Sequence, residues 1–278
     1  MTAAASPFAT PLSRRPLAAA RGGLAFSVPA RHNPRLQALV ERIDADEELR
    51  ELWRCANVNA ADRAGLGDHG GTHARIVANA GLRLLRLLLE AGFRSSLVDV
   101  HGLSRADSEV LVVLAAALHD LGLSIDLERP AAAGLALAHT KTVQLLDGLY
   151  PVRERTILLT EVLGAISAHH GRRQPQSVEA GVLTVADVLD LSKGRVGTHE
   201  DTTGDVNAVH IQRGARRPIR VDIRLAPGGE LRRITRRLTD RLADAALLEA
   251  LEFVATLPDD SAVPLDLAAQ RSQNPIGA

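Results

Sequence analysis

Histidine and aspartate residues that could bind a metal ion recur between residues 73 and 187. They are His73, His119, Asp120, His139, His169, His170 and Asp187. Imidazole nitrogens and carboxylate oxygens are ligands for borderline divalent ions such as manganese, iron, cobalt, nickel and zinc. A carboxylate has two oxygens, so Asp120 is the natural candidate to bridge two ions. These residue types therefore favour a divalent metal site, with one or two ions left open.

The pair His119–Asp120 lies in the apolar stretch "VLVVLAAALHDLGLSI", residues 110–125. A buried carboxylate is costly unless it is paired or coordinates a metal ion, so the pair needs partners elsewhere in the chain. Neighbouring helix residues project about 100° apart, so both members can reach one cavity, as can His169 and His170. A structural role stays open for single histidines, above all for His139, whose context is the least distinctive.

The elements that must position these residues are predicted to be helices. Thr72 can cap a helix that has apolar residues at helical spacing and ends near Gly92, which places His73 in its first turn. Two short amphipathic helices are predicted between residues 34 and 66. Further helices are predicted over residues 108–121, 138–149, 153–169 and 177–191.

Beyond Gly204 the sequence alternates as β-strands do, in "VNAVHIQRG" and "PIRVDIRLAPGG". An amphipathic helix over 231–247 and a last strand in "LEFVATL" follow. We therefore predict a mainly α fold, a helical bundle with a small C-terminal α+β appendage. The predicted division is a poorly ordered tail at 1–35, a helical metal-binding domain at 36–203, the appendage at 204–258 and a flexible tail at 259–278.

Composition sets limits on the class of protein. The chain has 33 basic and 33 acidic residues, so no net charge draws it to nucleic acid or a membrane surface. Its one cysteine, Cys55, excludes an intrachain disulfide, fits a reducing compartment and is expected to be buried. The longest apolar run, residues 110–118, is shorter than the about 20 residues that span a bilayer. We therefore expect a cytoplasmic protein, although the Arg-rich, acid-free residues 1–35 leave an organelle transit peptide open beside a disordered tail.

The order His, His-Asp, His, His-His, Asp, with each group on its own helix, resembles the HD-domain superfamily of metal-dependent phosphohydrolases. The segment "VLGAISAHHGRRQPQSVEAGVLTVADVLDLSKGR" is similar to the ribonuclease Y type of HD domain. The segment "DHGGTHARIVANAGLRLL" resembles an uncharacterised prokaryotic HD branch that also has a β-rich tail. The resemblance covers residues 68–195 and extends to about residue 257.

The resemblance implies an HD-domain helical bundle whose metal ligands are His73, His119, Asp120 and Asp187. It matches His139, His169 and His170 to the extra ligands of dinuclear members. Many HD phosphodiesterases carry a lysine shortly after the His-Asp pair, whereas Leu123 stands there in this chain. The phosphate contact must therefore come from elsewhere, and the basic loop "SKGR", with Lys193 and Arg195, is a candidate; a basic helix C-terminal cap is the competing interpretation.

The activity that the resemblance implies is hydrolysis of a phosphoester by a metal-activated hydroxide. The candidate catalytic residues are Asp120 and, from the basic loop after Asp187, Lys193 and Arg195. The cofactor is one or two divalent ions, magnesium included, and the substrate is a nucleotide or another phosphodiester or phosphomonoester. The alternative is a metal-stabilised sensing or scaffold module that has lost turnover.

Partner interactions rest on the arginines of "VHIQRGARRPIRVDIRL". This strip either binds a polyanion such as RNA or forms the solvent side of a hairpin. Aromatic residues for base stacking make up only 2% of the chain, so nucleic-acid binding is not favoured. The exposed edge of the hairpin offers a pairing surface and leaves a homodimer open.

Overall fold

A computed structural model describes residues 25–170, 174–191, 205–242, 245 and 247–267. Eight α-helices form its first part. They are α1 (Pro34–Ala45), α2 (Glu47–Asn57), α3 (Gly71–Glu90), α4 (Ser96–His101), α5 (Arg105–Leu118), α6 (Pro130–Leu146), α7 (Val152–His170) and α8 (Val178–Val188). A π-helical segment, Val58–Arg63, follows α2, and a 3-10 turn, Leu121–Ser124, follows α5. The short helix α4 lies between two predicted helices and had not been predicted.

Helix α5 is the centre of the bundle. Every residue from Val110 to Leu118 is buried, because α1, α3, α7 and α8 pack around this helix. A capping box between Ser104 and Asp107 fixes where α5 begins. The helix therefore presents its C-terminal end, with His119 and Asp120, at a depth that solvent does not reach.

Two glycines fix the chain after the His-Asp pair. A Cβ atom on Gly122 would lie 1.8 Å from the carbonyl oxygen of Pro130 and 2.7 Å from the amide nitrogen of Gly134. Only glycine permits this approach of the 3-10 turn to α6. Helix α6 accordingly begins at Pro130, with proline in its first turn, well before the predicted start at residue 138.

The second part is a four-stranded sheet with one helix. Its elements are β1 (Val206–Arg213), β2 (Ile219–Leu225), α9 (Leu231–Leu242), β3 (Leu251–Thr256) and β4 (Ala262–Leu265). The strand order is β1-β2-β3-β4, with β1 and β4 antiparallel to their neighbours and β3 parallel to β2 through α9. The predicted fold class, mainly α with a C-terminal α+β appendage, is confirmed. Strand β4 and buried Leu267 lie within residues 259–278, where a flexible tail had been predicted.

Residues 25–35, which composition had assigned to a poorly ordered tail, lie against the bundle. The rings of Phe26 and Trp53 stack at 5.6 Å between centroids, and both side chains are buried. Residues 1–24 lie outside the described part of the chain. Cys55 is exposed, so the expectation of a buried cysteine was wrong: Leu49, Trp53 and Ala56 form the inward stripe of α2, and Cys55 lies off that stripe.

No helix in the described part of the chain is both long enough and apolar enough to cross a membrane.

Candidate metal centre

Four elements of the bundle bring their histidine and aspartate side chains to one place. His73 lies in the first turn of α3, and His119 and Asp120 follow the last turn of α5. His169 is near the end of α7, and Asp187 is near the end of α8. Ser177 caps the start of α8, but the prediction of Thr72 as the cap of α3 was wrong, because α3 begins at Gly71 and Thr72 lies inside it; His73 is in the first turn as predicted.

The ligand atoms of this cluster lie close together. His73 Nε2 is 3.2 Å from His119 Nε2, 3.1 Å from Asp187 Oδ1 and 3.5 Å from Asp120 Oδ2. His119 Nε2 is 3.2 Å from Asp120 Oδ2. All four side chains are buried. Two overlapping groups meet the spacing for metal ligation, His73 with His119 and Asp187, and His119 with Asp120 and His169.

The second ring nitrogen of two histidines is held by an acceptor. His119 Nδ1 donates to the carbonyl oxygen of Ala116 at 2.8 Å. His73 Nδ1 donates to Asp190 Oδ2 at 2.7 Å, and Asp190 is itself buried. These bonds assign the proton of each neutral ring to Nδ1 and leave the Nε2 lone pair facing the cluster, as ligation requires.

The cluster has an excess of negative charge. Desolvation lowers the pKa of His119, but the carboxylates of Asp120 and Asp187 outweigh it and raise that pKa to about 10. Three buried carboxylates, those of Asp120, Asp187 and Asp190, surround these rings. A divalent cation would compensate this charge in place of a proton.

The spacing also fits an ion. Ligands at about 2.0–2.2 Å from a divalent ion stand about 3.0–3.5 Å apart in octahedral or tetrahedral arrangements. The separations of 3.1–3.5 Å given above agree with this range, whereas His119 Nε2 lies farther from Asp187 Oδ1, at 3.8 Å. The residues therefore could hold a divalent metal ion, either in the group His73, His119 and Asp187 or in the group His119, Asp120 and His169.

Comparison with known proteins shows the family of the chain. Residues 71–192 match the model of the HD domain. An uncharacterised protein of Methanocaldococcus jannaschii is 32% identical over 200 residues, which cover 68% of this chain and 76% of that protein. The chain belongs to the HD-domain family. No solved structure gives a significant match.

Four residues predicted for the HD site are not among the described side chains that meet there. His139 is exposed on α6 and belongs to neither ligand group, because Ala138, Lys141 and Thr142 form the buried face of that helix. Lys193 and Arg195 lie outside the described residues, and so does the side chain of His170. Leu123, which stands where many HD phosphodiesterases have lysine, is buried beside Gly122 in the 3-10 turn.

Two side chains extend the HD site beyond the predicted ligands. Asp190 is not one of the predicted ligands, and its hydrogen bond to His73 makes it a partner of the site. Arg241 of α9 donates from Nη2 to Asp187 Oδ2 at 3.1 Å and had not been predicted. No local signal marks it, because it is one of five arginines on α9 and only the packing of α9 against α8 singles it out.

The arginine strip of the β-hairpin is largely engaged within the chain. Arg213 pairs with Glu90 at 2.8 Å, and Arg220 pairs with Asp222 at 2.6 Å. Arg217 donates to the carbonyl oxygens of Leu248 and Leu251. These contacts favour the solvent side of a hairpin over a polyanion site.

Proposed function

We propose that this HD-domain protein is a metal-dependent phosphohydrolase that acts on a nucleotide or another phosphodiester or phosphomonoester. One observation carries the proposal. Histidine and aspartate side chains, most of them buried, form two overlapping groups, His73 with His119 and Asp187, and His119 with Asp120 and His169, and the ligand atoms of each group lie within 4.8 Å of one another. Family membership supports the same reaction class, whereas fold alone would not.

A divalent ion held by these residues would lower the pKa of a coordinated water and neutralise charge on the phosphate oxygens. The chain's own contribution is positioning. Asp190 and the Ala116 carbonyl orient the two imidazoles, and the burial of His73 and His119 keeps bulk water away from the ligands. Asp120 and Asp187 supply the negative charge that attracts the cation.

The number of ions is left at one or two. His119 belongs to both ligand groups, so the described side chains do not separate into two independent sets. His169 Nε2 is 3.7 Å from Asp187 Oδ2, which makes His169 the candidate ligand for a second ion. Metal identity follows from none of these contacts, because imidazole and carboxylate accept manganese, iron, cobalt, nickel and zinc alike.

A metal-stabilised module without turnover is the second candidate. The exposure of His139 and the burial of Leu123 favour it, because the first removes an expected ligand and the second replaces an expected phosphate-binding lysine by an apolar side chain. Binding of metal without hydrolysis of any phosphoester would select this alternative.

The test combines metal content with turnover. The full chain, purified without chelator, is measured by elemental analysis beside Asp120→Ala, with Asp126→Ala as the matched control from the following turn. We expect one or two ions per chain in the wild type and the control, loss in Asp120→Ala, and manganese-dependent hydrolysis of bis(para-nitrophenyl) phosphate. Absence of metal from the wild type after loading with manganese and iron would contradict the proposal.

A further inference from the structure

The contact between Arg241 and Asp187 joins the C-terminal unit to the metal centre. Arg241 lies at the end of α9, and its Nη2 is 3.1 Å from Asp187 Oδ2. The other oxygen of this carboxylate, Oδ1, faces His73 Nε2 at 3.1 Å. Asp187 therefore has Oδ1 toward His73, while Oδ2 lies between the Arg241 guanidinium and His169, whose Nε2 is 3.7 Å away.

The two members of this pair differ in exposure. The Asp187 side chain is 2% exposed, whereas the Arg241 side chain is 55% exposed. A guanidinium carries five N–H donors, and one contact with Asp187 leaves donors for another oxyanion. Arg241 thus stands at the boundary between the buried ligands and solvent.

Three arginines lie along one face of α9, and ion pairs hold the first and the last of them in place. Arg233, Arg237 and Arg241 are spaced four residues apart and share one face. Arg233 pairs with buried Asp205 at 3.3 Å, and Ile234 and Leu238 pack into the core. Arg233 is thereby held by Asp205, and Arg241, at the other end of this row of arginines, is held by Asp187. These two ion pairs order the Arg241 side chain before any ligand binds.

We propose that Arg241 binds a nonbridging oxygen of the substrate phosphate, so that the C-terminal unit completes the active site of the HD domain. This inference rests on the proposed function. It assigns the phosphate contact that buried Leu123 does not make, and it requires a ligand with an anionic phosphate group at the metal centre. A planar guanidinium can hold Asp187 and a phosphate oxygen together, which an ammonium group at the same place would do less well.

The experiment compares Arg241→Gln and Arg241→Lys with Arg236→Gln. Arg236 is on the same helix, is 80% exposed and pairs only with Asp240 among the residues described, so it is the matched control. Each variant is loaded with manganese, its metal content is measured, and inorganic phosphate is titrated calorimetrically into the loaded protein. Circular dichroism checks that each variant is folded.

We expect Arg241→Gln to keep its manganese within about twofold and to bind phosphate about tenfold to hundredfold more weakly, as for the loss of a charge-assisted hydrogen bond. The phosphate affinity of Arg241→Lys should lie between those of Arg241→Gln and the wild type, and that of Arg236→Gln should equal the wild-type value. In Arg241→Gln the KM for bis(para-nitrophenyl) phosphate should rise by a larger factor than kcat falls. Unchanged phosphate affinity in Arg241→Gln, or loss of its manganese, would make Arg241 a structural partner of Asp187 and overturn the inference. A wild-type protein that binds no manganese would overturn the proposed function as well.

Discussion

His73 and Asp190 form a buried hydrogen bond of 2.7 Å between the imidazole Nδ1 and the carboxylate Oδ2. The opposite ring nitrogen, Nε2, is the one that faces Asp187, Asp120 and His119. Asp190 thus sets both the tautomer and the orientation of a candidate metal ligand while standing outside the ligand set.

Replacement of this carboxylate should weaken metal binding without destroying the site. In Asp190→Asn we expect the affinity for manganese to fall about 10-fold to 100-fold, because the amide holds the imidazole less firmly and makes it less basic. Competition with a chromophoric chelator measures the affinity. Asp62→Asn, an exposed site at the end of the π-helical segment, is the control, and an affinity of Asp190→Asn equal to that control would contradict the positioning role.

Two histidines that the sequence treats alike should behave differently. His169→Ala should lose metal affinity or one of two ions, because the His169 ring lies 5.1 Å from that of His119 between centroids and its Nε2 reaches Asp187. His139→Ala should keep the metal content of the wild type, because His139 is exposed on α6. Elemental analysis of both variants measures the number of ions per chain. Loss of metal from His139→Ala would show that His139 is a ligand after all.

The start of α3 is held against an aromatic ring. A Cβ atom on Gly71 would lie 2.8 Å from Cε3 of Trp53, whose Nε1 donates to the carbonyl oxygen of Ala117 two residues before His119. Gly71→Ala should therefore displace Trp53 or α3 and lower the free energy of unfolding by about 1–3 kcal/mol.

Gly164 on α7 is the matched control for this substitution, since nothing lies within 4 Å of its added Cβ. Gly164→Ala should raise the free energy of unfolding by about 0.5–1 kcal/mol, as alanine favours a helix interior. Urea unfolding of the metal-free proteins measures both. Equal effects of the two substitutions would show that the Trp53 contact does not constrain α3.

Acid should destabilise the bundle through Asp107. Desolvation raises the pKa of this buried carboxyl, but hydrogen bonds from Ser104, Tyr150 and Arg35 outweigh it and hold the pKa below its ordinary value. A carboxyl whose folded pKa is lowered adds stability above its unfolded pKa of about 3.9, and that stability is lost as pH falls through the folded pKa.

Asp107→Asn should thus lower the free energy of unfolding at neutral pH by about 1–3 kcal/mol and make its fall below pH of about 4 shallower. Urea unfolding at several pH values measures this, with exposed Asp62→Asn as the reference. If the free energy of unfolding fell with pH as steeply in Asp107→Asn as in the reference, the acid sensitivity would belong to other carboxylates.

The candidate ligands could be proposed from the sequence because their residue types and the helices that carry them follow from local signals. The cap at Ser177 and the apolar run around His119 locate α8 and α5, whereas the predicted cap Thr72 lies inside α3. The order of these groups then indicated the HD family, which the comparison with known proteins confirms. The alternation of apolar and polar residues after Gly204 likewise predicted the strands of the C-terminal sheet.

What the sequence alone could not decide depends on how distant elements pack. The face that α6 turns to the core determined that His139 is exposed, and the close approach of Gly122 to α6 determined the early start of that helix. Helix periodicity marks a buried stripe but does not say which partner covers it. Of the five arginines on α9, only the packing of α9 against α8 shows that Arg241 contacts Asp187. These two residues are 54 positions apart, so long-range contacts and not local propensity bring them together.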